Sequence, residues 1–210
     1  FEPFHQKGIK CIPVVPNVKL AQRVQAHGAD ALVVEGMEAG GHDGKLTLMA
    51  LLENVLPDIE IPVIAAGGIA DGRGIAASLL MGASGVQMGT RFLLAEECSL
   101  HPKAKDAIMA AADTDSVVTG FTTGDSVRGL KNRFSDRYLK AEYSGASPDE
   151  LSSISAGTTK RGALFGDTEN GFILAGMSLT HLTKIQSAKE IVEELVSETE
   201  RRLAAAPGLI

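Results

Sequence analysis

The chain has 210 residues, of which 44% are hydrophobic and 22% are charged, so it can bury one core of good size and fits one domain with an appendage. Its formal net charge of -6 and its pI near 5.4 argue against nucleic acid or an anionic membrane surface as the main partner. No run reaches the roughly 18 apolar residues that a membrane span needs, and the N-terminus does not resemble a signal peptide. We therefore expect a cytoplasmic protein with no membrane segment.

Cysteine content and the first residue give two further expectations. The two cysteines, Cys11 and Cys98, are too few for a disulfide framework or a zinc site, and no metal site is predicted. The chain begins with Phe1 rather than Met, a few residues before an apolar run. We therefore expect that sequence is missing before it.

Strands and helices alternate through the first part of the chain. Asn17 and Asp71 are typical N-cap residues, whereas Gly28 and Gly82 are typical helix stops. The strands are continuous apolar runs, which is typical of a parallel sheet covered on both faces, so the predicted class is α/β. The predicted strand and helix pairs are 9–15 with 18–27, 31–34 with 47–56, 62–66 with 75–81, and 85–88 with 92–97.

After Cys98 the alternation ends. The patterns predict a strand at 116–119, a linker-like stretch at 144–148, and helices at 102–112, 131–143 and 188–206. The last helix carries apolar residues on one face and many glutamates elsewhere, so it is expected to pack as an appendage.

Four strand and helix pairs fit either a small doubly wound sheet or half of a barrel. A dinucleotide fold would place Gly-x-Gly-x-x-Gly after its first strand, where this chain has Pro13-Val14-Val15-Pro16. A TIM (β/α)8 barrel commonly builds its phosphate site after strands seven and eight, and here the last two strands of the series carry glycine motifs. We therefore predict the C-terminal half of a TIM barrel, strands five to eight, in residues 1–98, and a mainly helical region packed on it in residues 99–210.

Two strand ends carry the phosphate-binding candidates. Ala65-Ala66-Gly67-Gly68-Ile69 ends the third predicted strand, and Gln87-Met88-Gly89-Thr90-Arg91 ends the fourth. Glycine lets backbone N–H groups approach a phosphate closely, and a following helix start complements its charge. Tight turns alone would also explain these glycines, but two adjacent strand ends with the same composition favour a phosphate site.

The loop after the second predicted strand carries the catalytic candidate. In the stretch 35–45, the glycines Gly36, Gly40, Gly41 and Gly44 surround His42. Such a loop can fold over a flat ligand while the titratable imidazole faces the reacting centre. A loop histidine satisfied by local hydrogen bonds is the alternative, and its place at the carboxyl end of a barrel strand favours function.

Two acids and a basic cluster are weaker candidates. Glu35 and Glu38 could bind a ribityl hydroxyl or a cation, although solvated acids have the same pattern. Arg128, Lys131 and Asn132 could contact an anionic substrate, although a solvated face is the commoner meaning of such a cluster.

Together these motifs resemble the flavin-dependent type II enoyl-acyl carrier protein reductases, within the broader group of nitronate monooxygenases, formerly called 2-nitropropane dioxygenases. The resemblance covers nearly the whole chain, and its motifs are specific jointly rather than singly. It is carried by Ile12 to Pro16, Glu35 to Lys45, Ala65 to Ile69, Gln87 to Phe92, Val127 to Asn132 and Ala175-Gly176.

The resemblance implies an FMN-containing barrel that NADH or NADPH reduces and that passes hydride to a trans-2-enoyl thioester on acyl carrier protein or coenzyme A. It implies that His42 lies near the reactive face of the flavin and that Gly40 and Gly41 lie against it. The implied phosphate ligands are Gly67, Gly68, Gly89 and Thr90, and Glu35 and Gln87 complete the predicted cofactor-binding set.

Two alternatives stay open at this point. A nitronate monooxygenase would use a similarly placed histidine to manage a proton while flavin and oxygen oxidise the nitronate. Such enzymes often carry Gln where this chain has Glu35, which favours the reductase. A non-catalytic half-barrel that binds flavin or phosphate without turnover is the alternative from another class.

The resemblance also implies that about a hundred residues, carrying strands one to four, precede this chain. An open half-barrel leaves two unpaired sheet edges, so the missing half is expected to come from a cleaved segment of the same protein or from a second chain. A homodimer is compatible with the sequence.

Overall fold

The computed structural model describes residues 1–209 and divides the chain into two compact units. The first unit comprises residues 1–38, 44–88 and 192–209. The second comprises Ala39–Asp43 and Gly89–Ile191. The proposed division into residues 1–98 and 99–210 stays a prediction.

Strands and helices alternate up to Gln87 as the sequence predicts, except that the strands at 32–35 and 41–42 follow one another directly. The strands are β1 (Val14–Val15), β2 (Leu32–Glu35), β3 (Gly41–His42), β4 (Val63–Ala66), β5 (Gly85–Gln87), β6 (Ser116–Thr119) and β7 (Val127–Leu130). The helices are α1 (Glu2–His5), α2 (Val18–Ala26), α3 (Leu48–Val55), α4 (Gly72–Leu80), α5 (Thr90–Leu93), α6 (Pro102–Ala110), α7 (Arg133–Tyr143), α8 (Pro148–Ser155), α9 (Thr158–Phe165) and α10 (Ala188–Ala205), with 3-10 turns at Leu56–Asp58 and Ala206–Leu209.

A four-stranded parallel sheet forms the centre of the first unit. Its strand order is β1-β2-β4-β5, and Val33 of β2 pairs with Val14 on one side and Ile64 on the other. The buried side chains of β2 and α3 pack in one core, because both elements are apolar where they meet; its largest members include Leu32, Val34, Leu51 and Leu52. The predicted α/β fold with a parallel sheet is confirmed.

The helix starts that position this sheet follow the predicted caps. The Asn17 side chain accepts a hydrogen bond from the Leu20 N–H at 2.9 Å, and Asp71 accepts from the N–H groups of Arg73 and Gly74. Gly82 follows α4 with a φ of +110°, a conformation that favours glycine. Both predicted N-caps and the predicted end of α4 are therefore confirmed.

A three-stranded antiparallel sheet belongs to the second unit, with strand order β3-β7-β6. Only β6 is predicted from the sequence; β3 and β7 are not, because a two-residue strand has no periodicity and β7 contains a glycine and an arginine. Buried side chains of α7 form an aromatic core with Phe172, and the ring centroids of Phe134 and Phe172 are 5.1 Å apart.

Several predicted elements differ in extent from those observed. The predicted strand at 9–15 is confined to β1, since residues 9–13 form no strand, and the predicted helix at 92–97 is the single turn α5. The stretch at 144–148 leads directly into α8, and neither α8 nor α9 is among the predicted helices. Among the described helices, none combines the length and apolar character needed to cross a membrane.

Candidate functional site

Two of the glycine motifs lie at one edge of the parallel sheet. Ala66, the last residue of β4, pairs with Gln87, the last residue of β5, so these strands end side by side. Gly67 and Gly68 follow β4 with φ values of +95° and +71°, which L side chains rarely adopt. The turn after β4 therefore depends on both glycines, whether or not it binds a phosphate.

Gly89 has an ordinary backbone conformation and open space beside it. It precedes α5 with a φ of -104°, and a Cβ atom added there would have no heavy atom within 4 Å. Thr90 accepts a hydrogen bond from the Gly176 N–H at 2.9 Å, and its hydroxyl keeps a proton to donate. Gly89 thus has open space beside it and Thr90 keeps a donor, and their binding of a flavin phosphate stays a prediction.

The two glycines before His42 differ in what they require. A Cβ atom on Gly40 would lie 2.6 Å from the Ala175 carbonyl carbon and 2.7 Å from the Gly176 nitrogen, so the close approach of these backbones requires glycine. Gly41 has a φ of +95° and open space where a Cβ would be. Of the pair, Gly41 is the one that leaves room for a ligand.

His42 lies at the end of β3 and faces solvent. Its Nε2 atom lies 3.2 Å from Oδ1 of Asp125, and the two side chains are 76% and 78% exposed. Asp125 stands in the connection between β6 and β7. The pairing was not predicted, because the two residues are distant in sequence and neither lies in a motif that joins them.

The residue after His42 forms a buried ion pair. Asp43 Oδ2 lies 3.6 Å from Arg128 Nη2, and Arg128 Nη1 donates a hydrogen bond to the Ser116 hydroxyl at 3.2 Å. Both charged side chains are almost fully buried. The predicted basic surface cluster is therefore wrong for Arg128, because β7 turns this side chain inwards onto Asp43.

Asn132 also has a structural role. Its side chain accepts a hydrogen bond from the Ser135 N–H at 3.0 Å and so caps α7. Its amide donates to the carbonyl oxygens of Thr168 and Gly171, both at 2.7 Å. The side chain is thus fully engaged within the unit and leaves no donor for a substrate.

The two loop acids occupy different environments. Both carboxylate oxygens of Glu38 lie 3.0 Å from the Leu48 nitrogen and accept its N–H, which stabilises the start of α3. Glu35 ends β2, and partial burial raises the pKa of its carboxyl group. Glu38 is a helix-capping residue, whereas Glu35 remains available at the carboxyl edge of the sheet.

One group of metal-ligating side chains is present in the first unit. Atoms of His5, Cys11 and Asp30 lie within 4.8 Å of one another. Asp30 already accepts hydrogen bonds from the Lys10 ammonium at 2.7 Å and from the Cys11 N–H at 2.8 Å. These bonds explain the position of the carboxylate without an ion.

The matching family model and the curated relatives of this chain carry the same name. The family model for nitronate monooxygenase matches residues 2–198. A probable nitronate monooxygenase from Staphylococcus aureus is 35% identical over 205 residues, which are 92% of this chain and 57% of that protein. The chain thus spans less than two thirds of the curated relatives it matches.

Two solved structures are similar over almost the whole chain. FabK from Thermotoga maritima is 38% identical with a TM-score of 0.96, covering 100% of this chain and 67% of that one. A nitroalkane oxidase from Streptomyces ansochromogenes is 30% identical with a TM-score of 0.84, covering 98% of this chain and 61% of that one.

Proposed function

Because the chain belongs to the nitronate monooxygenase family, a family of flavin-dependent oxidoreductases, we propose that the protein carrying it is an FMN-dependent enoyl-acyl carrier protein reductase. It would reduce trans-2-enoyl thioesters with NADH or NADPH in fatty acid elongation. The similarity to FabK over the complete chain carries this proposal, since it exceeds the similarity to the nitroalkane oxidase in both identity and TM-score. The Glu35-Gly36-Met37-Glu38 segment supports the same choice.

Different residues of this chain would bind the cofactor and handle the proton. Backbone N–H groups at Gly67, Gly68 and Gly89, with the Thr90 hydroxyl, would hold the phosphate. Gly41, Glu35 and Gln87 would bind other parts of the cofactor, and Gly40 would keep its loop against the Ala175-Gly176 backbone.

The chemistry of the reaction separates into a redox part and a proton part. FMN, when bound, supplies hydride transfer from the nicotinamide to the β-carbon of the enoyl thioester. His42 presents an exposed imidazole that can hold or donate the proton which the α-carbon gains. This division predicts that His42 matters for turnover more than for flavin binding.

We propose that β1, β2, β4 and β5 are strands five to eight of a TIM barrel. Two observations support this: the parallel order of these strands and their position with β1 and β5 at the sheet edges. The remaining strands would come from another segment of the same protein or from a second chain. Intact mass of the purified protein tests this, and a single 22.0 kDa species without a companion would contradict it.

Nitronate monooxygenase activity is the second candidate, supported by the curated relatives, which carry that name. The two reactions are distinguished by assaying the same preparation twice. NADH oxidation with crotonyl-coenzyme A is followed without oxygen, and oxygen consumption is followed with an alkyl nitronate. Rapid NADH oxidation with little oxygen uptake supports the reductase, whereas rapid oxygen uptake with no NADH oxidation supports the monooxygenase. A flavin that is bound and reducible but turns over neither substrate would favour the non-catalytic alternative.

A further inference from the structure

We propose that Asp125 is a positioning residue for His42. Its carboxylate accepts a hydrogen bond from Nε2–H of the imidazole. The Nδ1 atom is then the one presented for proton exchange with the substrate. Neutral His42 takes a proton from solvent water at Nδ1 to become an imidazolium while its Nε2–H stays hydrogen-bonded to Asp125, and transfer of the Nδ1 proton to the α-carbon of the substrate restores the neutral ring. This inference rests on the proposed function of His42.

Strand register brings the two side chains to the same face of the antiparallel sheet. His42 pairs with Val127, and Asp125 lies two residues before Val127, so it is the diagonal neighbour of His42. The Asp43 N–H donates to the Ser126 carbonyl at 3.3 Å and extends the pairing beyond the strand. Nε2 lies 3.2 Å from Oδ1, which is within hydrogen-bond reach.

The opposite face fixes this register. Because successive side chains alternate across a strand, Asp43 and Arg128 point inwards where His42 points outwards. Their buried ion pair resists slippage of β3, since a shift of β3 by one residue would turn Asp43 outwards and His42 inwards and leave Arg128 buried without its partner. The backbone beneath the imidazole is thus held independently of the exposed pair.

A buried glutamate holds the turn that carries Asp125. Glu142 of α7 is 4% exposed and accepts hydrogen bonds from the Gly120 N–H at 3.2 Å and the Thr122 N–H at 2.8 Å. Thr122 also donates its hydroxyl to the same carboxylate. Gly120, with a φ of +78°, packs directly against the Asp125 carbonyl. The start of the turn that carries Asp125 is therefore held by α7.

The Asp125 carboxylate also lies near Tyr138. Burial raises the pKa of Tyr138, and the negative charges of Glu142 and then Asp125 raise it further. A contact between side chains as exposed as those of His42 and Asp125 contributes little to stability. The arrangement is therefore better explained by orientation of the imidazole than by folding.

The test compares Asp125→Ala with Asp125→Asn. The amide oxygen of the asparagine can still accept a hydrogen bond from Nε2–H. Asp113→Ala removes an exposed aspartate from the loop before β6 and serves as the matched control. In ¹⁵N-labelled protein, well above the ordinary histidine pKa of about 6.5, long-range ¹H–¹⁵N spectra report the ring tautomer. The His42 signals are assigned by their loss in His42→Gln.

We expect the Nε2–H tautomer in the wild type, in Asp125→Asn and in Asp113→Ala, and a measurable Nδ1–H population in Asp125→Ala. With substrate, Asp125→Ala should lower kcat about tenfold at unchanged KM, and Asp125→Asn should restore most of it. Equal tautomer populations in the wild type and Asp125→Ala would overturn the inference. The spectra need no turnover, so they test the position of the His42 proton even in an inactive protein. A protein inactive on every substrate would contradict the proposed function, whereas the His42 tautomer populations would still decide the role of Asp125.

Discussion

Arg128 and Asp43 form an ion pair that is almost completely buried, with Nη2 3.6 Å from Oδ2 and side chains 6% and 3% exposed. Asp43 Oδ1 accepts no hydrogen bond from the described residues, so the carboxylate depends on Arg128 for much of its stabilisation. Removing one charge would leave the other buried without compensation. The pair therefore holds β3, and with it His42, on β7.

This relationship predicts a large cost for breaking the pair on one side. Arg128→Met should lower the free energy of unfolding by about 3–5 kcal/mol, because it leaves the Asp43 charge buried. The double variant Asp43→Leu with Arg128→Met should recover much of that loss. Urea denaturation measures both, with Arg133→Met, 78% exposed, as control. A cost for Arg128→Met no larger than for the control would contradict the role of the pair.

Two glycines with equally open surroundings test the phosphate site. A Cβ added at Gly85 or Gly89 would meet nothing within 4 Å, so Ala at either position should leave the fold intact. Only Gly89→Ala should raise the dissociation constant for FMN, by about tenfold or 1.4 kcal/mol, since a methyl group there would block the phosphate. Fluorescence titration measures binding. Equal affinities in the two variants would exclude Gly89 from the site.

His42→Ala separates cofactor binding from catalysis. Flavin content, read from the absorbance of the purified protein, should stay at the wild-type level because the phosphate ligands lie elsewhere in the sequence. The rate of turnover should fall by about 10²–10⁴-fold if His42 handles the proton. Loss of the flavin would show instead that His42 contributes to cofactor binding.

Glu35 predicts a pH dependence of stability. Burial raises its pKa above the ordinary value of 4.5, so the unfolded state releases the proton first as the pH rises. Glu35 therefore favours folding below the unfolded pKa, and this contribution is lost as the pH rises through the folded pKa. Glu35→Gln has no carboxyl group to ionise and should not lose stability in this way. The free energy of unfolding of the variant, relative to that of the wild type, should therefore increase with pH. Thermal unfolding from about pH 4 to pH 8 measures the difference, and parallel curves would contradict it.

The features that the sequence predicts well are local ones. Asn17 and Asp71 are recognised as caps because the cap and the amides it binds are close in sequence. The α8 helix, which is not among the predicted helices, has such a signal too: a capping box of Ser147 and Glu150 with Pro148 at the first helical position. The α9 helix begins after Gly157 without a side-chain cap and offers no comparable signal.

Features that depend on distant pairing could not be predicted. Arg128 has the residue type and the neighbours of a surface cation, and only the pairing of β3 with β7 buries it on Asp43. The contact of His42 with Asp125 follows from the same register. The roles of Gly67, Gly68, Gly89 and Thr90 as phosphate ligands stay predictions, supported by backbone conformation and open space.

The central claim is that the flavin passes hydride to an enoyl thioester, and it is tested most directly in a single turnover. The protein is reduced with one equivalent of NADH without oxygen and then mixed with crotonyl-coenzyme A, and the flavin absorbance is followed. We predict that the oxidised flavin spectrum returns with formation of one equivalent of butyryl-coenzyme A. A flavin that stays reduced until oxygen is admitted would contradict the proposed reductase activity.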